Sequence, residues 1–274
     1  MSFHPIHGQD PLKVLKQLEG SQLILPVVSI GNTPQLACDL LIHTLPAKLV
    51  ARLDDIYLYP FASPVDYVND PKQGITSGLE IYYSEQHRLT ILQQRSPILP
   101  GLTTKFLKEL LIPFVRMAQF GKVVILQSND AGLREDKNVD HLFLLWANDI
   151  AKTFETFKIS DNSIGVISER SELDGMGKLI IDALEDQIEE TSSLGPEVKG
   201  SLKLASTPSA SIDAVFLSIF VYEGDNSNDS KQLASQLLRV LHINQPAEWT
   251  TPVSWRGVYG NKQILVGMEY GVYT

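Results

Sequence analysis

Cysteine is almost missing. Cys38 is the only one in 274 residues, which excludes an internal disulfide framework and any cysteine-built zinc cage. Long apolar runs are missing too. The longest, Leu23–Val28 and Ala214–Val221, fall far short of the ~20 residues a membrane-spanning helix needs. The first residues, MSFHPIHGQDPLKV, lack a charged start followed by an apolar stretch, so no secretory signal is read there. No basic stripe exists to neutralise phosphates, which excludes the electrostatic footprint of a nucleic-acid binder. These absences together predict an intracellular, reducing compartment with no membrane and no nucleic-acid partner.

What is present is a foldable chain. It is 43% hydrophobic and 20% charged, with a mean hydropathy of −0.01 and a net charge of −9. That composition excludes disorder of the whole chain. The acidity is local: residues 169–197 carry nine acids against Arg170 and Lys178, read as a solvated helix face.

Leu23–Ile30 is a continuous apolar run closed by Gly31-Asn32-Thr33-Pro34. Such a run fits a strand buried on both faces of a parallel sheet. A helix follows over Gln35–Leu45, with Thr33 as its expected cap and Pro34 in its first turn. Leu53–Phe61 is expected as a second strand. Leu79–Ser84 and Arg88–Gln94 alternate in period two and predict a hairpin. Thr103–Ala118 carries an apolar helical stripe that Pro113 should kink. Lys122–Gln127 reads as another buried strand, and His141–Ala147 as strand or helix. Gly175–Glu190 reads as a helix and Ile212–Tyr222 as the last core strand. Asp229 is expected to cap a helix over Ser230–Leu241.

Strands alternating with amphipathic helices predict a single α/β domain, an αβα sandwich around a mixed sheet. The expected organisation is a loose extension over residues 1–20 and the domain over 21–260. Residues 191–211 are expected as a mobile insertion and 261–274 as a C-terminal tail.

Motifs for chemistry fail one by one. Gly175-Met176-Gly177-Lys178 has Glu172 where a phosphate loop needs its first glycine, and Leu179 where it needs Ser or Thr. Asp225–Ser230 opens like a calcium loop, but Ser230 and Gln236 stand where glycine and the bidentate glutamate belong. No G-x-S-x-G or H-E-x-x-H occurs. The six histidines are scattered, and Cys38 falls inside a helical pattern. No catalytic, cofactor-binding or metal-ligating set is predicted.

The segment Leu25-Pro26-Val27-Val28-Ser29-Ile30-Gly31-Asn32-Thr33-Pro34-Gln35-Leu36 resembles the opening of the proteasome assembly chaperone 2 family. Further along, Gln93-Gln94-Arg95-Ser96-Pro97, Glu223-Gly224-Asp225-Asn226 and Ser254-Trp255-Arg256 with Gly260 resemble its later motifs, in the same order. The resemblance implies an α/β sandwich similar to nucleoside phosphorylases but without their active site. It implies a heterodimer with proteasome assembly chaperone 1. It also implies a role in assembling and capping the α-ring of the 20S proteasome, in cytoplasm and nucleus, with no enzyme activity and no cofactor. Under it, Val272-Tyr273-Thr274 matches the hydrophobic–tyrosine–any-residue tail that docks between neighbouring α subunits. Val272 would fill an apolar slot, Tyr273 would offer a flat body with a hydrogen-bonding tip, and the Thr274 carboxylate would meet a lysine. The rival readings are a nucleoside hydrolase or phosphorylase on a similar sandwich, and a scaffold for some other complex.

Overall fold

The computed structural model describes residues 3–149, 163–193 and 212–256. Its frame is a nine-stranded mixed sheet in the order β1-β3-β6-β7-β2-β8-β11-β9-β10. The strands are β1 (Phe3–Pro5), β2 (Gln22–Pro26), β3 (Lys48–Leu53), β6 (Leu79–Ser84), β7 (Leu89–Gln94), β8 (Lys122–Asp130), β9 (Phe143–Ala147), β10 (Ile164–Val166) and β11 (Asp213–Val221). A small separate pair, β4 (Ala62–Pro64) and β5 (Ile75–Ser77), lies between β3 and β6 in the chain. β7, β2, β8 and β11 run parallel at the centre, and antiparallel pairs flank them.

The continuous apolar runs occupy that centre because both sheet faces are covered. On β11, Ala214, Phe216 and Phe220 point to one layer, and Val215, Leu217, Ile219 and Val221 to the other. β8 divides the same way, with Val123 and Ile125 opposite Val124 and Leu126. The first layer holds α1 (Pro11–Leu18), α3 (residues 103–118) and α4 (Gly175–Ser193), and the second holds α2 (Thr33–Thr44) and α5 (Ser227–Val240). Full burial of each large core side chain contributes about 1.5–3 kcal/mol. The molecule is thus the expected sandwich with a mixed sheet. Cys38 is a core residue of α2.

Several local expectations are corrected. Residues 3–18 are not a loose extension. β1 pairs antiparallel with β3, and Val14 and Leu18 of α1 are buried in the core. Asp10 caps α1 by accepting the Leu12 amide at 3.0 Å, with Pro11 in the first turn. The second long strand is Lys48–Leu53, not Leu53–Phe61. Over residues 54–61 the chain makes an isolated bridge, Leu58 to Ile98. At Pro113 α3 changes its hydrogen-bond pattern. It runs as α-helix over Thr103–Lys105, as π-helix over Phe106–Leu111 and as α-helix again over Ile112–Ala118. Pro113 has no amide hydrogen for Glu109, and the widened turn before it carries the Ile112 amide to the Leu107 carbonyl. Thr33 does not cap α2. It is the first helical residue, and its hydroxyl reaches the Ile30 carbonyl at 3.4 Å. Asp229 lies inside α5, which begins at Ser227 after Asn226. Of the expected insertion, Thr191–Ser193 complete α4, and the remainder lies outside the described residues, as does the 261–274 tail.

Candidate functional site

In open α/β sheets the carboxyl ends of the central strands are where loops converge and ligands bind. Here that end gathers three of the four stretches that carried the resemblance. The loop after β2 turns through Gly31 (φ 64°) and Asn32 (φ 49°), two successive left-handed residues. Glycine is required at the first. A Cβ on Gly31 would stand 2.0 Å from Nδ2 of Asn226, so the turn after β11 is packed directly onto the turn after β2. Asn226 is 4% exposed and donates to the Gly224 carbonyl at 3.3 Å.

Between them ends β8. The Ser128 amide donates to Ser29 Oγ at 2.9 Å, and the Ser128 hydroxyl donates to the Ile30 carbonyl at 2.6 Å. The Ser29 hydroxyl donates to the Val27 carbonyl at 3.0 Å. Neither hydroxyl proton is left to give to a base, so neither serine is poised as a nucleophile.

The end of β7 meets α2. Gln93 Nε2 donates to the Gln35 carbonyl and to Asp39 Oδ1, both at 2.9 Å, and Gln35 Nε2 donates to the Pro26 carbonyl at 3.3 Å. Arg95 grips both Asp39 oxygens, at 2.8 and 2.7 Å, with side chains 17% and 7% exposed. Burial opposes the Arg95 charge. The field and hydrogen bonds of Asp39 outweigh it and raise the guanidinium pKa above its ordinary value. The sequence reading missed this tie. Its signal was the four-residue spacing of Gln35 and Asp39 on a helix and the two-residue spacing of Gln93 and Arg95 across the end of a strand.

The fourth stretch lies elsewhere. Ser254 donates its amide to Asp66 Oδ1 at 3.2 Å and its hydroxyl to Asp66 Oδ2. Trp255 packs against the α2/α5 layer. The four stretches therefore serve as ties that hold turns, helix and strand ends in register.

Chemistry finds little to use. A cavity of about 500 Å³ opens beside the end of β8, but Asp130, Glu135, Glu172 and Asp174 line it, with Lys137 as its cation. Lys137 is already paired with Glu135 at 3.1 Å and Glu172 at 3.5 Å. That field repels a phosphate rather than cradling it. A smaller apolar cavity of about 190 Å³ lies between Val27, Leu92, Phe106 and Ile180. Burial, with Asp39 adding to it, pushes the Cys38 thiol well above its ordinary pKa, which keeps it un-ionised. Among the described residues no three His, Cys, Asp or Glu side chains are grouped to hold a metal ion. No helix there is long and apolar enough to cross a membrane. The expected site residues Val272, Tyr273 and Thr274 lie outside the described residues.

Comparison with known proteins places these features. The PAC2 family model matches residues 23–241, from the start of the β2 core run to the end of α5. The chain is 26% identical over 262 residues to proteasome assembly chaperone 2 of Saccharomyces cerevisiae, covering 88% of this chain and 95% of that protein. Against proteasome assembly chaperone 2 of Homo sapiens it is also 26% identical over 262 residues, covering 89% and 93%. The fold is similar to the crystal structure of Pyrococcus furiosus PbaA, described as an archaeal homolog of proteasome-assembly chaperone. The TM-score is 0.57 at 14% identity, over 84% of this chain and 85% of that one.

Proposed function

The chain belongs to the PAC2 family, and on that premise we propose that it is a non-enzymatic proteasome assembly chaperone. The observation that carries this reading is similarity to proteasome assembly chaperone 2 along nearly the full length of both chains. The site chemistry supports it. Ser29, Ser128 and Asp39 at the strand ends are engaged in internal hydrogen bonds, and the roomy polar cavity beside β8 has the wrong charge for a phosphorylated substrate.

In this proposal the chain pairs with a homologous partner, proteasome assembly chaperone 1. The pair acts in cytoplasm and nucleus, guides assembly of the 20S α-ring and caps its outer face. Val272, Tyr273 and the Thr274 carboxylate insert between neighbouring α subunits. The sandwich is a rigid body on which such a tail is carried, and binding energy from body and tail combines through effective concentration.

The test is affinity capture with the chain as bait, in cells and after co-expression with the partner. Recovery of 20S α subunits together with one similar-sized protein, in a 1:1 complex with the bait, is the expected result. A monomer that recovers no α subunit and turns over nucleosides would overturn the reading.

A further inference from the structure

The Ser254-Trp255-Arg256 stretch takes no part in the ties at the strand ends. After α5 the chain turns back and crosses the α2/α5 layer without strand or long helix, ending in a short 3-10 turn over Val253–Arg256. It is fastened at three points far away in sequence. The Thr250 amide donates to Thr44 Oγ1 at 3.0 Å, at the end of α2. The Val253 amide donates to the Tyr67 carbonyl at 2.8 Å. Both Asp66 oxygens hold Ser254, one taking its amide and the other its hydroxyl, and Asp66 Oδ1 also accepts the Tyr67 amide at 3.0 Å. Trp249 and Trp255 pack onto the core of that layer, and Pro252 is buried between them in sequence.

We propose that residues 249–255 are a strap that sets the root of the C-terminal segment, with Asp66 as its positioning residue. This rests on the docking role of Val272-Tyr273-Thr274 proposed above. With the strap seated, the eighteen residues after Arg256 form the tether, which spans at most ~60 Å. Lifting the strap back to the end of α5 would lengthen the tether to thirty-four residues. Effective concentration falls as roughly the three-halves power of tether length, so the loss is about 2.5-fold. The strap thus raises tail occupancy by shortening the tether.

The experiment uses the full chain with its co-purified partner, the partner's own tail removed, immobilised and loaded with 20S precursors. Dissociation is compared for wild type, Asp66→Asn, Asp66→Ala with Thr44→Val, and a chain shortened by residues 272–274. Hydrogen exchange at the Val253 and Ser254 amides is followed in parallel. The double variant keeps the Val253–Tyr67 bond and the tryptophan packing, so it should release precursors faster than wild type by up to about 2.5-fold and exchange those amides faster, with β2 and β8 amides unchanged. Asp66→Asn, which keeps a carbonyl oxygen for the Ser254 amide, should fall between it and wild type. If shortening the chain speeds release but the double variant does not, the strap is refuted and the tail stands. If shortening has no effect, the tail role fails and the positioning role with it. Equal exchange at Val253 and Ser254 in wild type and double variant would show that the anchors do not hold the strap.

Discussion

The Asp39–Arg95 pair gives the sharpest test of how the body is held together. It joins α2 to the end of β7 across a gap in which Asp39 accepts three hydrogen bonds, two from Arg95 and one from Gln93. Asp39→Ala leaves a guanidinium almost enclosed with no carboxylate in contact and only the more distant field of Glu80, and the Gln93 amide loses one of its two acceptors. Breaking a buried pair by removing one member costs about 3–5 kcal/mol. The Arg95 side chain is still 17% exposed, so some water reaches it and the lower end, about 3 kcal/mol, is expected. That is a large share of a typical ~5–15 kcal/mol stability. Arg95→Met should cost a similar amount. Asp39→Leu with Arg95→Met removes both charges and keeps apolar volume, so most of the loss should return. Urea unfolding followed by tryptophan fluorescence measures all of these, with buried Trp146 as a reporter. Additive losses in the double variant, or single losses below about 1 kcal/mol, would refute the claim that the buried pair ties helix to strand.

Two further outcomes follow from the same geometry. Gly31→Ala should destabilise by about 2 kcal/mol or more, because a left-handed backbone and a contact of 2.0 Å with Asn226 both oppose a Cβ; adding Asn226→Gly should recover the steric part in thermal melts. Burial lowers the pKa of His43 below its ordinary 6.5, against Asp39 and Asp66, which raise it. The unfolded chain then binds more protons, so stability should fall as pH drops through 6.5 toward the folded value, and His43→Gln should flatten that decline in urea midpoints measured against pH.

Legibility from sequence followed the range of the interactions. β2, β8 and β11 could be read directly, since burial on both faces demands an unbroken apolar run. The stripe of Leu233, Leu237 and Leu238 marked α5 for the same local reason. The N-terminal strand could not be read, because three residues containing Pro5 carry no period and are strand only through pairing with β3. The cap of α2 is not legible because the helix opens at Thr33 itself, behind a left-handed Asn32 that makes no side-chain cap bond. At the site, the motif residues were visible but their partners were not. Asp39 and Arg95 are 56 positions apart and Asp66 and Ser254 are 188 apart, and no periodicity encodes such distances.

The position of β11 has a consequence for the order of events during synthesis. The strand is slotted between β8 and β9, about 80 residues after β8 in the chain, and it is parallel to one neighbour and antiparallel to the other. A ribosome delivers the chain from its amino end. The hairpin of β6 and β7 and their junction with β2 can form early, while β8 keeps an open, apolar edge until residue 221 has left the exit tunnel. Contacts this distant close slowly, and an unpaired edge in the waiting state invites association with other chains. The chain thus passes through a stage in which its own central seam is unprotected.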